Sequence, residues 1–353
     1  MAGVVLIDPS KDGSWDSFVE AHPFGWVSHL EGWRRVIEGS IPRAKAFHFA
    51  LLDGGQIVAG IPVYLLRGIL QKWQVVSIPM ATIADLLAET AEQGALLLKA
   101  VADFSHEKRA GFLEIRALNS APLFPNDEFS VIREYKHHFI RLDRPPELLM
   151  KRFDRTCVRQ RISRSSSSGV VVKGAADEAA VREFFRLYVL TRRRLGLPPQ
   201  PYGFIRSLWE TFSRSGHLAI NLAEYRGENV AGILVLKMGK RLSAEYLVSD
   251  ERFREFNPNH ILLWDAIQTA CREGREIFDF GRTHVENDGL MDFKKRWGTE
   301  VVDLPMYYYP KDAKAVRPAE RSGFPYSWGS TALKRMPTPL FTMVGRAYYR
   351  YVA

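Results

Sequence analysis

Residues Ala46–Leu66, AFHFALLDGGQIVAGIPVYLL, decide the fold once they are set beside His217–Met238, HLAINLAEYRGENVAGILVLKM. Each reads as a β-rich run, then a polar glycine turn (Asp53-Gly54-Gly55 or Arg226-Gly227-Glu228), then Val-Ala-Gly opening a second apolar run. A second matched pair follows at similar distance: helical patterns ending EKRAG and CREG lead into GFLEIRAL from Gly111 and REIFDFGR from Arg275. Two different segments repeating in the same order predict two copies of one α/β unit. The alternative is a pair of unrelated hairpins that share a turn composition.

Outward from the repeat, RPPELLMKRFDRTCVRQRISRSSSSGVVVKG lies between the copies, with Pro145-Pro146 opening a basic helical segment and Ser165–Gly169 closing it. The expected division is an N-terminal domain over 1–145, a basic linker helix over 146–169, a C-terminal domain over 170–310 and a basic aromatic tail over 311–353. The second half reads as helices over Glu178–Leu195 and Tyr202–Ser213, strands through Leu247, a helix over Asn259–Arg272, a strand through Phe280, an amphipathic segment near Met291 and a last strand, VVDLPMYYY. The fold class that follows is α/β (α+β), each copy a mixed twisted sheet flanked by helices.

A chain of 353 residues with 46% hydrophobic and 25% charged content can bury a core for about two domains. Lys11 and Asp12 interrupt the start before a signal-length apolar run develops, and no later stretch has the roughly 18 apolar residues of a spanning helix, so a soluble cytoplasmic protein is expected. Cys157 and Cys271 stand far apart without ligand spacing, which indicates neither disulfides nor a metal site. The balance of 49 basic against 40 acidic residues favours anionic partners: tRNA, a nucleotide-linked substrate or an acidic membrane face. Simple solubility charge accounts for it as well. The tail, ending LFTMVGRAYYRYVA, is open to two readings, a segment resting peripherally on the inner face of a membrane or one packed on its domain.

Several segments, in this order, resemble the FemAB-like members of the GNAT superfamily: CVRQRISRSSSSGV, LTRRRLGLPPQP, GENVAGILVLKMGK, YLVSDERFREFNPNHILLWDAIQTACREG, IFDFGRT and FKKRWGT. The resemblance runs from Phe47 to about Tyr309 and implies tandem GNAT-like domains. It also implies that the strand Leu242–Val248 and the helix from near Asn259 hold the acyl donor, Arg254 and Asn259 lying at that helix end. Ordinary acetyl-CoA-dependent GNATs place close-packed glycines there. This chain has Arg254-Glu255-Phe256-Asn257-Pro258-Asn259, without glycine, so CoA is disfavoured and aminoacyl-tRNA, the donor of Fem-type enzymes, is expected. No separate cofactor is called for.

On the DFGRT strand, Phe278 and Phe280 alternate with Asp279 and Gly281, setting Asp279 on the opposite face; Gly281 permits close approach of a ligand and Arg282 is suited to clamp a phosphate or carboxylate. An Asp279–Arg282 bond that merely ends the strand is the structural alternative. Lys294, in the segment similar to the family's FK..WG element, is a candidate for neutralising a phosphate or an oxyanion. Glu245 corresponds to a general base as in some GNATs, and Tyr246 to a donor to the leaving group. Where relatives carry Pro-x-x-x-Tyr-Gly-Gly, this chain has Ile83-Ala84-Asp85, leaving Asp85 to meet the acceptor amine. Arg155, Arg159 and Arg161 are candidates for phosphates along a tRNA or a lipid-linked acceptor, or a solvated helix face. His260 and His284 read as structural.

The leading expectation is therefore an acyl- or aminoacyltransferase acting on an amine of a peptidoglycan or polysaccharide precursor, with no covalent enzyme intermediate. The alternatives are a CoA-dependent N-acetyltransferase of a small amine and a decayed nucleic-acid or membrane-surface binding module.

Overall fold

A computed structural model describes residues 3–11, 13–67, 73–125, 128–311 and 326–350. Their contacts divide the chain into two compact units. The first comprises Met1–Tyr135, Asp303–Phe324 and Ala347–Ala353; the second comprises Lys136–Val302 and Pro325–Arg346.

Strands are numbered in chain order. The first unit holds β1 (Gly3–Ile7), β2 (Lys45–Asp53), β3 (Gln56–Arg67), β4 (Trp73–Val76), β5 (Leu113–Arg116), β6 (Ser130–Ile132) and β14 (Met306–Tyr309), in the order β1-β2-β3-β4-β5-β14-β6. The second holds β7 (Tyr135–Arg141), β8 (Val171–Gly174), β9 (Leu218–Tyr225), β10 (Glu228–Met238), β11 (Arg241–Ser249), β12 (Ile277–His284) and β13 (Glu300–Asp303). Read from β8, its order is β8-β9-β10-β11-β12-β7-β13, the same plan. In both sheets the fourth and fifth strands pair parallel and the preceding neighbours pair antiparallel.

One position in each sheet is exchanged. The slot between fifth and edge strand is filled by β14 in the first sheet and by β7 in the second, so each half lends the other a strand. β14 runs antiparallel to both β5 and β6. This corrects two expectations. The run VVDLPMYYY is two strands in different sheets, broken at Leu304-Pro305, where proline lacks the N–H that a continuous ladder needs. The boundary at residue 145 also gives way, since β7 belongs with the second half.

The repeat itself has a packing reason. Both hairpins turn through two residues of positive φ, Gly54-Gly55 and Arg226-Gly227, as tight two-residue loops require. The Val-Ala-Gly glycines, Gly60 and Gly232, sit where a Cβ would come within 2.6 Å of the Trp15 ring and 2.8 Å of the Phe184 ring. Trp15 lies on α1 (Ser14–Ala21) and Phe184 on α6 (Glu178–Leu195), both fully buried. Each glycine lets a helix aromatic seat on the sheet.

The other helices are α2 (Glu31–Ser40), α3 (Ala91–Glu107), α4 (Pro146–Arg152), α5 (Gln160–Ser167), α7 (Tyr202–Phe212), α8 (Pro258–Arg272), α9 (Asp288–Lys295), α10 (Tyr326–Arg335) and α11 (Thr338–Tyr349). The expected linker helix over 146–169 is instead α4, a π-helical turn over Arg155–Arg159, and α5. Phe153 turns inward against Trp264 and Trp297, and Asp154 restarts the helix by accepting from the Cys157 amide at 2.6 Å. Leu149, Phe153, Val158 and Ile162 belong to the second unit's core, so this segment is part of that domain rather than a linker.

Candidate active site

The candidate site lies in the second unit. The parallel pairing of β11 with β12 covers Arg241↔Ile277, Leu242↔Phe278 and Ser243↔Asp279 and then stops, although both strands continue. Just beyond, β11 has a bulge: Leu234 of β10 opposes Tyr246 and Val235 opposes Ala244, leaving Glu245 as the extra residue. A bulge re-aims a side chain out of the alternating pattern, and here it does so at the point where the strands part.

Asp279, wholly buried, is the anchor of that point. Its carboxylate accepts from Arg241 Nη1 at 2.7 Å, from His137 Nε2 at 3.0 Å and from the Gly281 amide at 2.6 Å. Burial alone would raise this carboxyl, but the His137 and Arg241 partners and the Gly281 amide outweigh it and hold the group well below the usual carboxylate range. Asp279 is therefore a fixed anion that organises the strand end.

Gly281 has φ of 71°, and an added Cβ there would meet nothing within 4 Å. The glycine is thus needed for backbone conformation rather than for crowding. Buried Lys294, from α9, donates to the carbonyls of Gly281 and Arg282 at 3.0 Å each, tying the strand end in place. Burial lowers its pKa to about 8 against the pull of Asp279 and Glu245.

Half-buried Glu245 titrates differently. Desolvation pushes its carboxyl up to about 7, with the Asp279 charge adding to the rise and Ser243, Arg282 and Arg241 opposing it. A carboxylate poised there can take a proton at neutral pH. Tyr246 packs edge-on to Tyr188, ring centroids 5.5 Å apart.

Four residues along β11, Ser249 lines a cavity of about 140 Å³ together with Arg161, Arg194, Arg254, Asn259 and His260. An adjoining cavity of about 250 Å³ shares Arg161 and Phe293 with it and adds Cys157, Asp292 and Arg296. Arg296 Nη1 lies 2.6 Å from Cys157 Sγ. Asn259 bonds Ser249 Oγ through Nδ2 at 3.2 Å while its Oδ1 has no partner among the described residues. His260 is buried, neither ring nitrogen makes a well-aligned hydrogen bond, and burial with the Arg161 charge brings its pKa down to about 4.

The two copies differ at their matching helix starts. The N-cap of α8, Asn257, makes no side-chain capping bond, Pro258 supplies no N–H, and the His260 amide turns back to the Asn257 carbonyl. Few amides remain to wrap a diphosphate. In the first unit the matching α3 is closed by its own capping box, Thr90 and Gln93 exchanging bonds. Its neighbouring loop is closed too, and this corrects the expectation for Asp85. That residue is fully buried, and its carboxylate accepts from the amides of Leu118, Asn119 and Ser120 and from the side chains of Asn119 and Ser120. It fills a nest of backbone donors and, wholly buried, is out of reach of an acceptor amine.

The site thus brings together Glu245, Asp279, Gly281, Arg282 and Lys294, with Arg161, Arg254 and Asn259 at the adjoining cavities. Arg155 is exposed and Arg159 half-buried; neither lines a cavity described here. Sequence reasoning missed Arg241 and His137, which reach Asp279 from other strands, and Cys157 with Arg296. It also set aside His260.

Comparison with known proteins bears on the domain family and the fold. Residues 152–295 match the acetyltransferase (GNAT) domain family. A 79-residue stretch is 35% identical to a lipid II:glycine glycyltransferase of Staphylococcus saprophyticus and 34% identical to one of Staphylococcus aureus, covering 21% of this chain and 19% of the length of those relatives. Among solved structures, FemX aligns with a TM-score of 0.70 at 16% identity over 87% of this chain and 97% of its own. L-PGS from Bacillus licheniformis aligns at 0.59 and 12% over 98% of both chains. A tandem GNAT protein from the clavulanic acid biosynthesis pathway aligns at 0.50 and 13% over 87% of this chain and 98% of its own. At such identities the structural likeness speaks to the fold, two GNAT units in tandem.

Proposed function

From the match of residues 152–295 to the GNAT acetyltransferase domain family, the short stretch similar to lipid II:glycine glycyltransferases and the FemX-like fold, we propose that the chain transfers an activated acyl or aminoacyl group to an amine of a cell-envelope precursor. The observation that carries the reading is the bulge that sets Glu245, with its carboxyl near neutrality, where β11 and β12 part, on the same strand whose Ser249 bonds Asn259 at the uncapped start of α8. The donor ester occupies the cavities lined by Arg161, Arg254 and Asn259. The acceptor amine attacks the ester carbonyl, Glu245 takes the proton that the amine sheds, and the donor alcohol leaves as the amide forms. Tyr246 is the candidate donor to that leaving oxygen. Asp279, Arg241 and His137 fix the strand end, and Lys294 holds the carbonyls of Gly281 and Arg282 so that the Arg282 guanidinium stays beside the reacting groups.

An aminoacyl-tRNA suits this donor site better than CoA, since α8 offers a proline and side chains where close-wrapping amides would be needed. The acetyltransferase match favours acyl-CoA as the second reading. The acceptor we favour is lipid- or nucleotide-linked, in line with the named activity of the staphylococcal relatives. Incubating the purified chain with charged tRNA or acetyl-CoA and a lipid- or nucleotide-linked muropeptide precursor tests the reading. Labelled product is expected with charged tRNA and none with acetyl-CoA. A one-to-one low-micromolar acetyl-CoA site in titration would transfer the assignment to the second reading.

A further inference from the structure

Among the described residues no helix is long and apolar enough to cross a membrane, yet the C-terminal part of the second unit presents an unusual face. α11 is fastened inward: Phe341 is fully buried, Gly345 sits where a Cβ would come within 2.2 Å of the Pro199 carbonyl oxygen, and Thr338 accepts from Arg193 Nη1 at 2.9 Å. With that side held, Leu340 and Met343 point away, 43% and 60% exposed. Leu195, at the end of α6 two residues beyond Arg193, is 51% exposed. Three large apolar side chains thus stand out on elements that the fold has fixed in place.

The charge on α10 and α11 has one sign, while at the end of α6 Arg194 pairs with Glu251. Residues 326–350 contain Lys334, Arg335, Arg346 and Arg350 and no aspartate or glutamate. Lys334, Arg335 and Arg346 are exposed and form no ion pair among the described residues. Exposed apolar side chains on helices whose exposed charges are unneutralised cations suit a surface that is anionic outside and hydrocarbon beneath. A second copy of the chain suits it poorly, because a two-fold contact would set like charges together. Nucleic acid would satisfy the cations but leave Leu340 and Met343 with nothing apolar to enter.

We propose that α10, α11 and the end of α6 form a docking face for an anionic lipid bilayer, with Leu340, Met343 and Leu195 entering the interface and Lys334, Arg335 and Arg346 meeting the headgroups. The face deepens the reading above by saying where a lipid-linked acceptor would be met, and for that purpose it rests on that reading. Arg194, between Arg193 and Leu195 in sequence, lines the 140 Å³ cavity, so the face and the donor cavity meet at one helix end.

The test needs no turnover, so its failure is distinguishable from failure of the acyl-transfer reading. The full chain is sedimented with phosphatidylcholine vesicles with and without phosphatidylglycerol. Binding is expected only with the anionic lipid and is expected to weaken as salt is raised. Leu340→Glu with Met343→Glu is expected to lower partitioning about tenfold or more at unchanged thermal midpoint. Lys334→Gln with Arg346→Gln, which leaves the apolar face intact, is expected to weaken binding on the order of fivefold per charge removed and to flatten the salt dependence. Equal binding to neutral vesicles, full binding by the double glutamate variant, or a wild-type dimer that this variant dissolves would each overturn the proposal.

Discussion

Asp279 and Glu245 show how one strand end gives two carboxylates opposite characters. Asp279 is surrounded by donors and stays ionised, whereas Glu245 is desolvated beside it and rises to about 7. If Glu245 is the base, kcat/KM climbs with pH through about 7 and then levels, since only the deprotonated carboxylate accepts a proton. Glu245→Gln is expected to lower kcat by roughly 10²- to 10⁴-fold and to erase that limb of the profile. A variant that keeps the limb would assign it to another group and leave Glu245 a bulge residue only. Much of this point was legible in DFGRT, because alternation puts Asp279 opposite Phe278 and Phe280. Its partners Arg241 and His137 were not, since they arrive from other strands and no local spacing announces them. Asp85 shows the converse failure: a lone aspartate in a loop reads as available, while the three consecutive amides that consume it lie far along the chain.

At the scale of elements, the repeat was readable because its glycines have a steric cause in both copies. Gly232→Val would set new carbon against the Phe184 ring at 2.8 Å and Leu222 at 3.1 Å, within a fully buried helix–sheet contact. A loss of about 1–3 kcal/mol in urea unfolding is expected, part of it recovered in the Gly232→Val, Phe184→Leu double variant. An unchanged midpoint would mean that α6 shifts freely and that the repeated glycine has some other cause. The helices over Glu178–Leu195 and Asn259–Arg272 were legible from apolar period and cap residues. The break at Phe153-Asp154 was not. Its basic residues continue a helical pattern across a position where an inward aromatic, packing on Trp264 and Trp297, overrides local propensity. The contrast between α8 and α3 belongs to this scale as well: a capped helix start is spent on itself, and an uncapped one is available to a ligand.

For the whole molecule, acid and chain division are the two informative perturbations. His22, His138 and His260 have folded-state pKa values near 4 and His48 near 3, each lowered chiefly by burial. Below about pH 6.5 the unfolded chain binds protons there that the folded chain refuses, so stability falls as pH drops from about 6.5 towards 4, by up to about 1.4 kcal/mol per unit for each histidine. Urea midpoints measured across that window should fall steeply, and a flat profile would mean the histidines are hydrated in solution. The exchanged strands make a sharper demand. Sequence order suggested two halves each complete in itself, and nothing in VVDLPMYYY marks that its second part serves the other sheet. Yet β14 brings Tyr307, stacked on Phe124 with centroids 3.9 Å apart, into the first unit's core, along with Tyr308 donating to Glu114. A fragment of residues 1–145 lacks those groups. β7 could fold back into the empty slot, but alternation gives it one face of Lys136 and His138 and another in which His137 separates Tyr135 from Phe139, where β14 has Tyr307 and Tyr309 on one face and Met306 and Tyr308 on the other. Expressed alone, the fragment should therefore fail to give a cooperative unfolding transition, and co-expression with residues 146–353 should restore a soluble pair that copurifies. The intact chain should unfold in one transition by both circular dichroism and tryptophan fluorescence, because neither sheet is complete without sequence from the other half. A monomeric 1–145 fragment with near-native stability would show that β7 substitutes for β14 and that the exchange does not bind the halves into one folding unit.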